Sequence, residues 1–184
     1  MDVQADRARY LPAEDTYLLR DALRSCAGEA CLEIGFGTAT VISSVSEKFR
    51  LAVGTDIIGV PEAKLALSSK VDLVLSDRAK CFRDASFDLV FFNPPYLPAV
   101  KVEDRTVDGG PTGVEVPISF LEEALRVLRG DGAITVLLSD KGDLKAFAEH
   151  CEGMGLVVEQ VSQKRIFYET LFVFRLKRPR PTEG

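Results

Sequence analysis

The chain reads as an α/β protein: a parallel sheet with helices between its strands, finished by an antiparallel hairpin. Three observations predict this. Short apolar runs recur at Ala30–Phe36, Leu51–Ile57, Val71–Ser76, Phe87–Phe92 and Ala133–Leu138. Most are nearly continuous rather than alternating, as suits strands buried on both faces of a parallel sheet. Helical periodicity falls between or before them. The chain end differs: Val157–Ile166 and Glu169–Lys177 are β-rich and separated by Phe167-Tyr168, the pattern of a hairpin.

The helices follow from spacing. Pro12–Cys26 opens on a turn-friendly proline and carries Tyr17, Leu18, Ala22 and Leu23. Thr38–Phe49 places Val41, Ile42, Val45 and Phe49 on one face, and Pro117–Leu128 places Ile118, Leu121, Leu125 and Leu128 on one stripe. Gly130 is the expected stop for the latter helix. A short helix is expected over Asp143–Cys151. The 184 residues suffice for one domain with its own core, expected over residues 1–178, with a flexible tail at 179–184 marked by Pro179 and Pro181. No internal repeat occurs.

Composition excludes several classes. Hydrophobic residues make up 46% and charged residues 28%, which rules out a disordered chain. Net charge is −5, so a bulk basic coat for nucleic acid is ruled out and direct nucleic-acid binding is not expected. The basic residues gather late: Lys164, Arg165, Arg175, Lys177, Arg178 and Arg180 face only Glu169 and Glu183 after residue 160. A solvated strand and tail explains this more simply than a dock for a polyanion. No metal site is expected, because Cys26, Cys31, Cys81 and Cys151 form no CxxC pair and His150 is the only histidine. Cys31 and Cys81 read as packing residues rather than nucleophiles. With no signal-peptide pattern and no apolar run near the ~20 residues of a membrane span, a cytoplasmic protein is expected.

Chemistry gathers at strand ends. After the first strand, Glu33-Ile34-Gly35-Phe36-Gly37-Thr38 makes a glycine turn in which a ligand can approach the backbone closely. Thr40 stands where a dinucleotide fingerprint has its third glycine, so the turn alone is a weak signal. Asp56 ends the second strand 19 residues after Gly37, where a carboxylate can accept both hydroxyls of a ribose. Asp77 closes the third strand, where it would face the base of the same cofactor. Open Rossmann-like sheets bind ligands along this rim.

The fourth strand runs into Asn93-Pro94-Pro95-Tyr96. Two prolines stiffen an extended segment. The Asn93 side chain and the Pro94 carbonyl can then accept two hydrogen bonds from one planar NH2 group, while Tyr96 offers a flat face. Such nitrogens are poor nucleophiles, and aligning one with an electrophile supplies much of the catalysis.

In chain order, Glu33–Gly37, Asp56, Asp77 and Asn93–Tyr96 resemble the motifs of class I S-adenosylmethionine-dependent methyltransferases. The Asn-Pro-Pro-Tyr form is similar to that of enzymes acting on planar NH2 nitrogens: adenine-N6 DNA or RNA methyltransferases and HemK-type glutamine-N5 methyltransferases. Leu11-Pro12-Ala13-Glu14-Asp15-Thr16-Tyr17-Leu18-Leu19 resembles the opening of the short archaeal and eukaryotic branch of the HemK family. Asp108–Gly113 and Glu169-Thr170-Leu171 extend the likeness, which runs from about Tyr10 to Lys177. Phe36 departs from it, since many relatives carry a smaller residue there.

The resemblance implies a class I methyltransferase fold with S-adenosylmethionine as cofactor. Glu33, Gly35 and Gly37 would hold its methionine end with Thr16 nearby, Asp56 its ribose and Asp77 its adenine side. Asn93 and Pro94 would grip the substrate amide at the cofactor's edge, with Pro95 and Tyr96 completing the catalytic loop. The implied substrate is a glutamine in a translation release factor. A small zinc-binding activator is the implied partner, with the first strand's edge and the helix at Pro12–Cys26 as candidate contacts. The alternative is an adenine-N6 nucleic-acid methyltransferase, disfavoured by the acidic balance. A cofactor-binding scaffold without turnover is disfavoured by the intact Asn93–Tyr96. The 17 residues from Leu97 to Gly113 exceed the ~12–15 beyond which loops are usually functional, and are expected to close over the substrate.

Overall fold

The apolar runs do pair as one sheet. The structure, a computed structural model, describes residues 11–58, 70–101 and 103–179. In chain order these form α1 (Glu14–Ala22), β1 (Gly28–Ile34), α2 (Thr40–Val45), β2 (Phe49–Asp56), β3 (Val71–Leu75), β4 (Phe87–Phe92), β5 (Leu97–Pro98), β6 (Asp108–Gly110), α3 (Glu115–Val127), β7 (Leu128–Ser139), α4 (Leu144–Gly153), β8 (Val157–Arg165) and β9 (Thr170–Lys177). Seven strands lie in the order β3-β2-β1-β4-β7-β9-β8. The first five are mutually parallel, and β9 runs antiparallel to both β7 and β8. The expected α/β fold with a terminal hairpin is therefore present.

Alternation along the central strands supplies two cores. Leu32, Ile34, Val90 and Phe92 pack on one face with Leu121 and Val127 of α3 and Phe147 of α4. Cys31, Leu89 and Phe91 pack on the other with Leu19 of α1 and Val41, Ile42 and Val45 of α2. Successive side chains of a strand point to opposite faces, so β1 and β4 need apolar residues at consecutive positions. No helix among the described residues is long and apolar enough to cross a membrane.

Several local expectations are corrected. Gly130 is not the stop of α3: the helix ends at Val127, and Leu128 is already extended and paired with Phe87. The glycine that this strand requires is Gly132, where a Cβ would stand 2.8 Å from the Asp88 carbonyl oxygen. The α2 helix begins at Thr40 rather than Thr38, because Ala39 is left-handed at φ 59°. It is also short, and passes into a 3-10 turn at Ser46–Lys48. Its β-branched residues are chosen for packing rather than for helix propensity. The strand β1 is interior, bonded to β2 and β4, so it offers no edge to a partner. Arg180 to Gly184, most of the expected tail, lie outside the described residues.

The Leu97–Gly113 loop is folded rather than open. Its ends form the β5–β6 pair. Asp108 Oδ2 accepts the amides of Glu103 and Asp104, each at 2.7 Å. Gly109 and Gly113 are buried, and serve close packing rather than mobility. A Cβ on Gly109 would stand 2.7 Å from Tyr96 Cα, and one on Gly113 2.5 Å from the Tyr96 carbonyl oxygen. The glycines thus clamp the segment that carries Tyr96.

Candidate functional site

The glycine turn at the end of β1 is built on left-handed backbone, with φ of 78° at Gly35 and 49° at Gly37. Its amides are already used. Gly35 N and Phe36 N both donate to the Thr55 carbonyl, at 2.7 and 3.1 Å, and Gly37 N donates to Asp56 Oδ2 at 3.0 Å. The other Asp56 oxygen accepts Ile58 N at 2.9 Å. Asp56 is therefore fixed by one backbone amide on each oxygen, and a carboxylate still has acceptor capacity for two hydroxyls. Phe36 fits because Gly54 lies beneath it, where a Cβ would come within 3.0 Å of the Phe36 Cβ.

Glu33 lies under this turn, 4% exposed. Its Oε2 accepts Ile42 N at 2.9 Å. That amide is in the first turn of α2, whose N-cap, Ala39, has no side-chain oxygen to offer, so Glu33 caps the helix from the neighbouring strand. Burial pushes the Glu33 carboxyl well above its ordinary range, the Ile42 amide opposes this, and the Asp56 charge adds to the rise. A phosphate would find these amides spent and the Asp56 carboxylate beside it. A cofactor with a cationic end and a ribose suits the same groups, and S-adenosylmethionine is such a molecule.

The raised Glu33 pKa has a measurable sign. In the cofactor-free protein the unfolded chain ionises Glu33 near 4.5, before the folded one does. Stability from this group is thus full below that value and is lost as pH climbs toward the raised folded value. Glu33→Gln keeps an acceptor for Ile42 and removes the titration. Its melting temperature relative to wild type should grow by roughly 3 °C or more between pH 5 and pH 8. A difference that stays constant with pH would reject this account.

The acceptor side of the rim follows β4. The register Glu33↔Phe91 puts Asn93 level with Gly35 on the adjacent strand. Asn93 Nδ2 donates to Asp15 Oδ2 at 2.8 Å, and Tyr96 OH lies 3.5 Å from the same oxygen. A carboxylate only accepts, so this contact fixes which way round the Asn93 amide stands. Its Oδ1 is left buried and, among the described residues, accepts no hydrogen bond. A buried acceptor without a donor costs free energy until a ligand supplies one.

The structure thus brings Glu33, Gly35, Gly37, Asp56, Asn93, Pro94, Pro95 and Tyr96 to one rim, with Thr16 beside Asp15 in the first turn of α1. Asp77 is at the rim but engaged within its own turn, by Lys80 and by Arg78 at 3.1 Å. The Lys80 contact, the burial that opposes it and the Arg78 charge together leave its carboxyl below the usual range. Sequence reasoning quoted Asp15 without giving it a role, since only the three-dimensional fold puts it against a residue 78 positions away. It likewise missed the wall formed by Phe120, whose ring packs near Gly35 and under the Arg78 guanidinium, 5.5 Å away.

Cys81 is exposed rather than packed as expected, whereas Cys31 is buried. Burial pushes the Cys31 and Cys151 thiols up to about 12, which leaves them unreactive. His150 on α4 faces Glu122 at 3.9 Å. Part of the late basic cluster is engaged internally: Lys164 pairs with Glu14, and Arg178 donates to the carbonyls of Arg129 and Leu125.

No protein-family model matches the chain. Methyltransferase HEMK2 of Mus musculus is 31% identical over 202 residues, spanning 95% of this chain and 92% of that protein. The release factor glutamine methyltransferase of Caulobacter vibrioides is 27% identical over 158 residues, spanning 73% of this chain and 55% of that protein. Among solved structures, the E. cuniculi Mtq2–Trm112 complex, responsible for methylation of the eRF1 translation termination factor, contains a chain that superposes with a TM-score of 0.77. The identity is 26%, over 93% of this chain and 99% of that one. The fold is that of the class I methyltransferases, and the cofactor is S-adenosylmethionine. Within that class, the chain belongs to the HemK family of protein methyltransferases.

Proposed function

We propose that this enzyme methylates the side-chain amide nitrogen of a glutamine in a translation release factor. The observation that carries this reading is the buried, unpartnered Asn93 Oδ1 beside the rigid Pro94-Pro95 segment. It is an acceptor waiting for an N–H group. With the Pro94 carbonyl it takes both protons of a planar amide, holds the nitrogen at the rim beside Gly35, and leaves its face free to react. Pro95 keeps the segment extended, and Tyr96, clamped by Gly109 and Gly113, closes one side of the slot.

S-adenosylmethionine supplies an electrophilic methyl group when bound. Glu33 with Gly35 and Gly37 holds its methionine end, with Thr16 nearby. Asp56 takes the ribose, and Asp77 stands toward the adenine. The relatives bear on the substrate and the partner: one is named for release-factor glutamine methylation, and Mtq2 is solved with Trm112. A small zinc-binding activator fits the outer edge of β3, where Leu75 is 64% exposed, better than the interior β1. A cytoplasmic setting fits four free cysteines and an acceptor that works in translation.

The test is methyl transfer to a release-factor fragment with its Gly-Gly-Gln intact or changed to Gly-Gly-Ala, with the activator present. Only the intact fragment should be labelled. Equal labelling of both, or labelling of adenine-containing nucleic acid alone, would overturn the glutamine assignment.

A further inference from the structure

We propose that Asp15 is a positioning residue that sets the orientation of the Asn93 amide, and thereby makes the slot read N–H groups rather than carbonyls. This rests on the reading of Asn93 as the acceptor for the substrate amide. Asp15 is 3% exposed. It belongs to the first turn of α1, where a carboxylate is favoured by the helix dipole and by a free amide. Its two oxygens have different tasks. Oδ1 accepts Thr16 N at 2.6 Å, with Thr16 Oγ1 at 3.3 Å, and so is tied to its own helix. Oδ2 accepts Asn93 Nδ2 at 2.8 Å and lies 3.5 Å from Tyr96 OH.

An asparagine amide can stand either way round, because its oxygen and nitrogen ends have nearly the same shape. Alone, Asn93 could present NH2 to the slot as readily as oxygen. Asp15 removes that choice, since turning Asn93 over would bring two oxygens with no proton between them to 2.8 Å. The charged acceptor also polarises the amide and strengthens Oδ1 as an acceptor for the N–H groups of the incoming nitrogen. As methyl transfer makes that nitrogen positive, the nearby carboxylate stabilises the developing charge.

The division of labour between the two oxygens gives a specific test. In Asp15→Asn, the amide oxygen remains with Thr16 N–H, so the new NH2 group takes the place of Oδ2. Asn93 must then turn over to meet it and present its own NH2 to the slot. The substitution is nearly isosteric, yet kcat on the release-factor fragment should fall at least ~30-fold, with cofactor affinity within ~3-fold of wild type. Asn93→Asp should also fall, because it sets two carboxylates against each other. The reciprocal double variant, Asp15→Asn with Asn93→Asp, restores a donor facing an acceptor and leaves an oxygen toward the substrate. It should recover kcat at least ~10-fold over the weaker single variant, a coupling that a purely structural role would not produce. Asp15→Asn with kcat within ~3-fold of wild type, or a double variant no better than the weaker single one, overturns the proposal. If instead Asn93→Ala keeps wild-type turnover, the acceptor reading itself fails, whatever the Asp15 variants do.

Discussion

Replacing Asn93 by alanine should lower turnover at least ~100-fold, about 2.7 kcal/mol of transition-state stabilisation, while S-adenosylmethionine binds nearly as before. The variant removes Oδ1, a buried acceptor in the slot that has no donor among the described residues. The weak amide nucleophile would then bind without a fixed direction, and orientation is where the site has most to contribute. The loss should fall on kcat more than on KM for the protein substrate. Turnover within a few-fold of wild type would remove the amide-gripping role. A matching loss of cofactor affinity, measured by calorimetry, would mean that Asn93 serves the cofactor instead.

Asp56→Ala should do the reverse. Each hydrogen bond from a hydroxyl to a carboxylate is worth ~1.5–3 kcal/mol, so losing two should raise the cofactor Kd at least ~100-fold. Turnover at saturating cofactor should fall much less. The protein should also lose stability, because Gly37 N and Ile58 N both lose their acceptor. Asp56→Asn separates the two effects. One amide oxygen can still serve one of these amides, so part of the melting temperature should return while affinity stays weak. Wild-type cofactor affinity in Asp56→Ala would remove Asp56 from the site.

Much of this fold could be read from the chain, because the strands announce themselves. A strand buried on both faces must be apolar at consecutive positions, as Phe87–Phe92 is, and few other structures demand that. The hairpin was legible from its β-rich halves around Phe167-Tyr168. What failed was local. Gly130 looked like a helix stop only because the register of β7 against β4, which begins the strand at Leu128, is a property of two segments 41 residues apart. Gly109 and Gly113 gave no local sign of a packing role, because their reason for being glycine, the backbone of Tyr96, is distant in sequence.

The site divides the same way. Glu33, Gly35, Gly37, Asp56 and Asn93–Tyr96 stand at the ends of strands or just beyond them, where position in the pattern already says which rim they occupy. Asp15 sits near the start of a helix, whose docking direction no local pattern reveals. Phe120 lies beside the apolar stripe of α3 and reads as ordinary core. Both reach the site through tertiary packing.

The spent amides of the glycine turn have a consequence for selectivity among metabolites. Many cellular compounds carry an adenosine, and Asp56 would accept the ribose of any of them. The base and sugar therefore cannot distinguish the right cofactor from a nucleotide. Discrimination falls to the other end of the ligand, where the Gly35 and Phe36 amides turn inward to Thr55 and buried Glu33 lies beneath. A phosphate chain would meet the Asp56 carboxylate there without compensating donors, so nucleotides would be rejected by charge rather than by size.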